Sequence, residues 1–263
     1  MRLGGRTVLL TGAKGGLGGA IARELAARGA RLVLTGRRAD ALAALAAELG
    51  ARTIVSDLAD PEAPDALLEE AGAVDVLIAN AALPASGQLE SFTAEQLDRA
   101  LTVNLRAPML LARRLAPAMA TRGEGHLLFM SSLSGKVAAP GTPVYAATKF
   151  GLRGFALALR EDLRAAGVGV SVVSPGFVRD AGMYADAGVR LPPWVGTVTP
   201  ARVGRATADA IERNRAEVVV APLSLRLGAA AAGVMPEAAA AVQRRLGGHR
   251  IARSFARGQQ SKR

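Results

Sequence analysis

The run Thr7-Val8-Leu9-Leu10-Thr11-Gly12-Ala13-Lys14-Gly15-Gly16-Leu17-Gly18 decides the fold. Its first five residues are β-branched or aliphatic and read as a strand, Thr7 to Thr11. The glycines that follow permit positive φ and let the backbone come close to a phosphate. A helix then reads from Gly18 to Arg28, with Gly29 placed to end it. Strand, glycine turn and helix in this order open a βαβ unit of the kind that binds a dinucleotide. Its pyrophosphate would sit on the free N–H groups of the helix N-terminus. A glycine cluster elsewhere would carry little weight; the setting gives this one its meaning.

Working outward, short β-rich runs alternate with helical patterns. Arg31 to Thr35 reads as a second strand, and Asp40 to Leu49 as a helix closed by Gly50. Arg52 to Val55 is a third strand. Asp60-Pro61-Glu62 has the form of an N-cap with proline in the first turn, opening a helix to Ala71. Val74 to Ala79 is a fourth strand. Thr93 to Thr121 reads as helix, kinked or broken at Pro108 and Pro117. Strand five is His126 to Met130, followed by a helix from Tyr145 to Ala166, and strand six is Val168 to Val173. Pro175 to Pro200 reads as a long loop with short helices, Thr199-Pro200 opens a helix to Arg215, and Glu217 to Ala221 is a seventh strand. Near-continuous apolar strands between helices imply a doubly wound, Rossmann-type α/β fold: a seven-stranded parallel sheet with helices on both faces. One domain is expected over 1–235, followed by a basic C-terminal helix and tail over 236–263.

Composition sets the outer limits. The 263 residues are half hydrophobic, which excludes a disordered chain. Cysteine is absent, which excludes disulfide scaffolds, Fe–S clusters and thiol nucleophiles, and two distant histidines make a metal site unexpected. Val8-Leu9-Leu10 is far too short for a secretory segment, and the apolar run Leu227 to Met235 stops at Pro236. A cytoplasmic protein is expected, or one peripheral at a membrane. The net charge is +11, and seven Lys/Arg with no acid fall in residues 238–263, leaving +4 for the rest. That basic end reads as a solvated tail or as a contact for an anionic membrane, with Leu223 to Met235 as its apolar companion. Nucleic acid is the weakest of the three readings, since Phe255 is its single aromatic residue.

The end of the second strand bears on the dinucleotide. NAD-binding folds usually carry an acid there for the ribose 2′-hydroxyl. This chain has Gly36-Arg37-Arg38, and a guanidinium suits a 2′-phosphate. NADP(H) is therefore favoured, with NAD(H) as the alternative and solvated loop charges as the plainer reading. Tyr145 and Lys149 are four residues apart on one helix face. The ammonium is expected to lower the phenol's pKa toward the range of acid–base work.

These features come in order with others: Thr-Gly-x-x-x-Gly-x-Gly at 11–18, Asp57-Leu58, Asn80-Ala81-Ala82, Val103-Asn104, Ser131-Ser132, the Tyr145/Lys149 pair and Ser174-Pro175-Gly176. On these motifs residues 5–220 resemble the short-chain dehydrogenase/reductase family, in its single-domain branch. The resemblance implies an NADP(H)-dependent oxidoreductase that interconverts a carbonyl, ketone or aldehyde, and an alcohol. Tyr145 would be the acid–base and Lys149 would hold the nicotinamide ribose and favour the phenolate. Ser132 would hydrogen-bond the substrate oxygen, and Asn104 would position a water in a proton relay through Lys149. Gly12, Gly15, Gly16, Leu17, Gly18 and Arg37 would hold the cofactor phosphates, and Asp57 and Leu58 would flank the adenine. Asn80 and Ala81 would lie along the cofactor, with Pro175, Gly176, Val178 and the following loop over the nicotinamide. The family also implies a homo-dimer or homo-tetramer.

The chain departs from the family pattern at Ala82, where a glycine is usual. It departs again at Gly15, where NADP-preferring members often place a basic residue; Lys14 stands one place earlier. The other reading is a catalytically silent, cofactor-sensing or membrane- or nucleic-acid-associated protein on the same fold. The complete set Asn104, Ser132, Tyr145 and Lys149 argues against it. Phe177, Met183, Tyr184, Leu191 and Trp194 read as loop packing or as an apolar lid over a lipophilic substrate. His126 reads as a strand-end residue, and no nucleophile elbow accompanies Ser132.

Overall fold

Successive side chains of a strand point to opposite faces, so a sheet of all-apolar strands must be covered twice. The computed structural model, which describes residues 1–189, 191, 195–245 and 255–259, has this arrangement. Its strands are β1 (Thr7–Thr11), β2 (Arg31–Gly36), β3 (Arg52–Val55), β4 (Val76–Ala79), β5 (Gly125–Met130), β6 (Val168–Pro175) and β7 (Glu217–Val220). They pair in parallel in the order β3-β2-β1-β4-β5-β6-β7. Val8 and Leu10, Val76 and Ile78, and Leu128 and Met130 enter one core, with helices α1 (Gly16–Ala27) and α2 (Ala39–Leu49). Leu9, Leu77 and Phe129 enter the other, beneath α3 (Ala63–Ala71).

The long helical stretch is one rod with a defect. α4 (Ala94–Leu101) starts at a capping box in which Thr93 Oγ1 accepts from the Gln96 N–H and Gln96 Oε1 accepts from the Thr93 N–H. It passes through a π-helical segment, Thr102–Arg106, into α5 (Ala107–Thr121). The cause is Pro108. It lacks the N–H that the Asn104 carbonyl would receive in an α-helix. The ladder slips by one residue, and the Ala107 N–H reaches back to the Thr102 carbonyl. The rod carries a π-segment around Asn104, while Pro117 lies inside α5.

α6 (Pro143–Leu163), a short α7 (Gly182–Asp186) and α8 (Pro200–Glu212) complete the layers. α5 and α6 share the core of α3, and α8 shares that of α1. Several expected boundaries shift by one to three residues, two of them for a visible reason. α3 opens at Ala63 because Asp60 Oδ1 accepts from the Glu62 N–H at 3.0 Å in a turn of its own, and Pro64 takes the first helical turn. β6 runs on through Pro175, which pairs with Val220. His126 stands inside β5, its Nε2 2.9 Å from Ser171 Oγ, and burial pushes its pKa down to about 3, so it is a neutral core residue.

After β7 the chain forms α9 (Leu223–Val234) and α10 (Pro236–Arg245), and residues 255–259 make a helical turn against α7. That turn corrects the picture of an end lying wholly in solvent. The rest of the basic tail, with Arg250, Arg253, Lys262 and Arg263, lies outside the described residues, as does Trp194.

Candidate active site

The strand order reverses beside β1, and sheets of this kind take their ligands in the crevice beyond the carboxyl ends at such a reversal. Here the crevice lies between β1 and β4. Gly12 holds φ +66°, and a Cβ there would come 2.8 Å from Ala81 Cα. A Cβ on Gly18 would strike the Gly12 carbonyl, so α1 packs directly on the turn. Thr11 Oγ1 accepts from the N–H groups of Asn80 and Ala81, both at 3.0 Å. Asn80 Nδ2 donates to the carbonyls of Thr11 (3.0 Å) and Gly12 (3.2 Å). The Asn80 side chain is therefore a brace that holds the glycine turn to β4. Thr11 was not singled out from sequence as a site residue. Its signal is a hydroxyl at the last position of a buried apolar strand.

Gly15 is the N-cap of α1, its own N–H donating to the Gly12 carbonyl at 3.1 Å. Gly16 lies beneath Ala181, close enough that a Cβ would collide with it, and Leu17 lies beside Gly182. The loop after β6 thus closes over the turn. Arg37 is exposed just past β2, and its guanidinium makes no ion pair with any described residue. Asp57 accepts from the Ala59 N–H at 3.1 Å and stands 3.9 Å from Arg99, while Leu58 is buried. Val178 bridges Val198 and its side chain belongs to the core, so only its backbone is free for a ligand. These residues fit a dinucleotide. Backbone occupies the space a Cβ would need at Gly12 and Gly18, and an uncommitted guanidinium stands at the end of β2.

β5 and α6 bring Ser132, Tyr145 and Lys149 together. Ser132 caps the 3-10 turn Leu133–Gly135, its Oγ accepting from the Ser134 N–H at 3.1 Å, and its hydroxyl stands near enough to the Tyr145 phenol to pull that group's pKa down. The Ser131 hydroxyl donates to the Lys149 carbonyl at 3.1 Å and pins α6 to the end of β5. Lys149 is buried; its Nζ donates to the Met130 carbonyl at 2.9 Å and lies 5.6 Å from the centre of the Tyr145 ring. The expected lowering of the phenol is reversed here. Burial pushes Tyr145 up to about 12, more than Ser132 pulls it down, and burial pushes Lys149 down to about 8. Asn104 is fully buried, and its amide is spent on Leu83: Oδ1 accepts from the Leu83 N–H at 2.6 Å and Nδ2 donates to the Leu83 carbonyl at 3.0 Å. What Asn104 can offer a solvent molecule is its carbonyl in the π-segment.

An ion-pair cluster supports this end of the sheet. Glu217 on β7 binds Lys136 (2.8 Å) and Arg153 (2.7 Å), joining the loop after Ser132 to α6 and β7. Burial opposes its charge, but the two cations hold its carboxyl below the usual range. After β6, the rings of Phe177 and Tyr184 meet Phe255 at 6.0 and 5.8 Å between centres, and Gln259 Nε2 donates to the Met183 carbonyl at 3.3 Å. Phe255 and Gln259 escaped the sequence reading, because nothing local couples them to a loop more than seventy residues earlier.

A parallel sheet with a glycine-cradled crevice and a serine, tyrosine and lysine beside it defines a dinucleotide-dependent oxidoreductase fold. The profile of the family described as short chain dehydrogenase matches residues 6–188. The ketoacyl reductase HetN from Nostoc sp. is 38% identical over 227 residues, covering 83% of this chain and 79% of that one. A short-chain dehydrogenase from Sphingobium yanoikuyae, solved in complex with NADPH, is 30% identical, with a TM-score of 0.76 over 88% of this chain and 96% of that one. A metagenomic short-chain oxidoreductase in complex with NADP is 33% identical, with a TM-score of 0.69 over 84% of this chain and 98% of that one. The chain belongs to the short-chain dehydrogenase family. No helix among the described residues is long and apolar enough to cross a membrane, and they contain no metal-ligating cluster.

Proposed function

We infer that this chain reduces a ketone or aldehyde to an alcohol with NADP(H), Tyr145 being the proton donor. The observation that carries the reading is the Ser132–Tyr145–Lys149 cluster at the carboxyl end of the sheet. The cofactor, when bound, supplies or accepts the hydride. Gly12 and Gly15 to Gly18 would hold its pyrophosphate, Arg37 its 2′-phosphate, and Asp57 and Leu58 its adenine. Ala81, with Asn80 as brace, Lys149, Pro175, Gly176 and the Val178 backbone would line the rest. With its pKa near 12, Tyr145 is protonated at neutral pH and placed to give that proton to a carbonyl oxygen which Ser132 also hydrogen-bonds. The Lys149 ammonium then balances the phenolate that remains, and the Asn104 carbonyl would hold a water through which Lys149 is resupplied with a proton.

The substrate proposed is lipophilic, since Phe177, Tyr184 and Phe255 wall the mouth with rings, and a relative named as a ketoacyl reductase supports a ketone. NADPH consumption over a panel of ketones, aldehydes and 3-ketoacyl thioesters tests the assignment. NADPH binding with no turnover across the panel would instead establish the silent, cofactor-sensing protein. For cofactor choice, Arg37→Ala is expected to weaken NADPH about tenfold, roughly 1.4 kcal/mol, and to leave NADH unchanged. Equal losses for both cofactors in a fluorescence titration would refute the role of Arg37.

The family resemblance also supports a homo-oligomer. We place its contact on the outer face of α4, α5 and α6, where Leu101, Leu105, Met109 and Phe155 line an apolar groove of about 400 Å³. Met109→Glu is expected to turn the oligomer into monomer in sedimentation velocity. An unchanged sedimentation coefficient would move the contact elsewhere.

A further inference from the structure

α9 is apolar on two opposite sides. Leu225, Ala229 and Ala232 face the body, at the spacing of one helical stripe. Leu223, Leu227 and Val234, at i, i+4 and i+11, form a second stripe that faces away, and Val234 is 82% exposed. Met235 and, on α10, Val242 continue the exposed apolar surface. An exposed leucine alone means nothing, but a row of them on one helix marks a surface that meets something. The charge around the row has one sign. Residues 223–263 contain eight Lys/Arg, among them the exposed Arg226, Arg244, Arg245 and Arg257, and a single acid, Glu237.

We propose that the α9–α10 hairpin docks on an anionic lipid surface, with Leu223, Leu227, Val234 and Met235 entering the interface and the arginines meeting the headgroups. Amphipathic helices bind lipid in this way, by apolar burial together with electrostatic attraction. The two other occupants suit the surface less well. A second copy of the chain would set one arginine-rich, acid-poor patch against its own image, and like charges repel. A nucleic acid would have no use for an aliphatic row, and α9 and α10 carry no aromatic residue on which a base could stack.

The hairpin's position gives the docking a purpose. It leaves the sheet at the carboxyl end of β7, the end at which Ser132 and Phe177 stand. Ala221 lies against Gly176, Pro222 against Gly196, and Gln243 Nε2 donates to the Ala138 carbonyl at 3.4 Å. A lipophilic carbonyl compound would then pass from the lipid to the aromatic mouth along one rim. That consequence rests on the proposed reduction; the docking does not.

Flotation of the full chain with vesicles decides it, and needs no turnover. The chain should float with vesicles rich in phosphatidylglycerol and stay down with pure phosphatidylcholine, and high salt should release it. Leu227→Glu combined with Val234→Glu, both at exposed positions, should cut the floating fraction at least tenfold. The same variant should keep the wild-type NADPH affinity, which shows that it is folded. Arg244→Glu with Arg245→Glu should raise the vesicle concentration needed for half-binding several-fold. Three results would overturn the proposal: no flotation of the wild type, equal flotation of the double-glutamate variant, or a fall in that variant's sedimenting mass without loss of flotation. Retention on duplex DNA with no flotation would also sink it.

Discussion

Replacing Tyr145 with phenylalanine is expected to lower turnover by roughly 10³-fold and to leave NADPH affinity unchanged, because the change removes one hydroxyl and keeps the ring. That hydroxyl is the group beside Ser132 that stands protonated at neutral pH. The ring beside Lys149 stays, so the packing of α6 against the end of β5 stays with it. Steady-state NADPH consumption and a fluorescence titration of the cofactor measure the two halves separately. Unchanged turnover would remove Tyr145 from the mechanism, and lost cofactor binding would make it a structural residue of the crevice.

The second large effect belongs to Lys149. Burial sets its pKa at about 8, so it is cationic below that pH and neutral above it. The proposed reduction would leave a phenolate on Tyr145, which the cation would stabilise. The reductive rate should therefore be level at neutral pH and fall as pH rises through about 8. Lys149→Met should cost roughly 10²-fold in kcat, the usual magnitude for losing one electrostatic stabiliser, and should abolish the descending limb. Lys149→Arg keeps a charge that does not titrate in this range and should move the limb beyond reach. A methionine variant that retains the limb would show that another group titrates there.

The sheet was legible because its signal is repeated seven times. Each strand is a short apolar run bounded by turn residues, and the alternation that sends Leu9 to one core and Leu10 to the other needs only the period of a strand. The site was legible where chemistry sits beside such a boundary: glycines after β1, Ser132 after β5, Tyr145 and Lys149 one turn apart on α6. What sequence concealed depends on burial or on distance along the chain. The phenol was expected to be lowered by its lysine, but both groups lose water on folding, and desolvation outweighs their attraction. Asn104 was expected to position a water, and sequence did not say with which group; its amide closes on Leu83 and leaves the carbonyl. The π-segment around it follows from Pro108, a residue whose missing N–H reads in sequence only as a kink or break. Phe255 could not be linked to Phe177, because no periodicity spans that separation.

That last contact has a consequence in time. Among the described residues, the turn 255–259 is held on Phe177 and α7 by two ring contacts, worth ~0.5–1.5 kcal/mol a pair, by one hydrogen bond of about 1 kcal/mol, and by the packing of Gly258 on Ala187. Gln259 Oε1, buried with no partner among the described residues, works against them. The sum is small beside the ~5–15 kcal/mol that holds a domain folded. The wall is therefore expected to peel away and reseat while all seven strands remain paired, as a separate unit of unfolding. Amide exchange over Met183 to Gly188 should run orders of magnitude faster than in β1 or β5. On the proposed reading, a bulky compound would reach Tyr145 at a rate set by this seam, independently of how stable the sheet beneath it is.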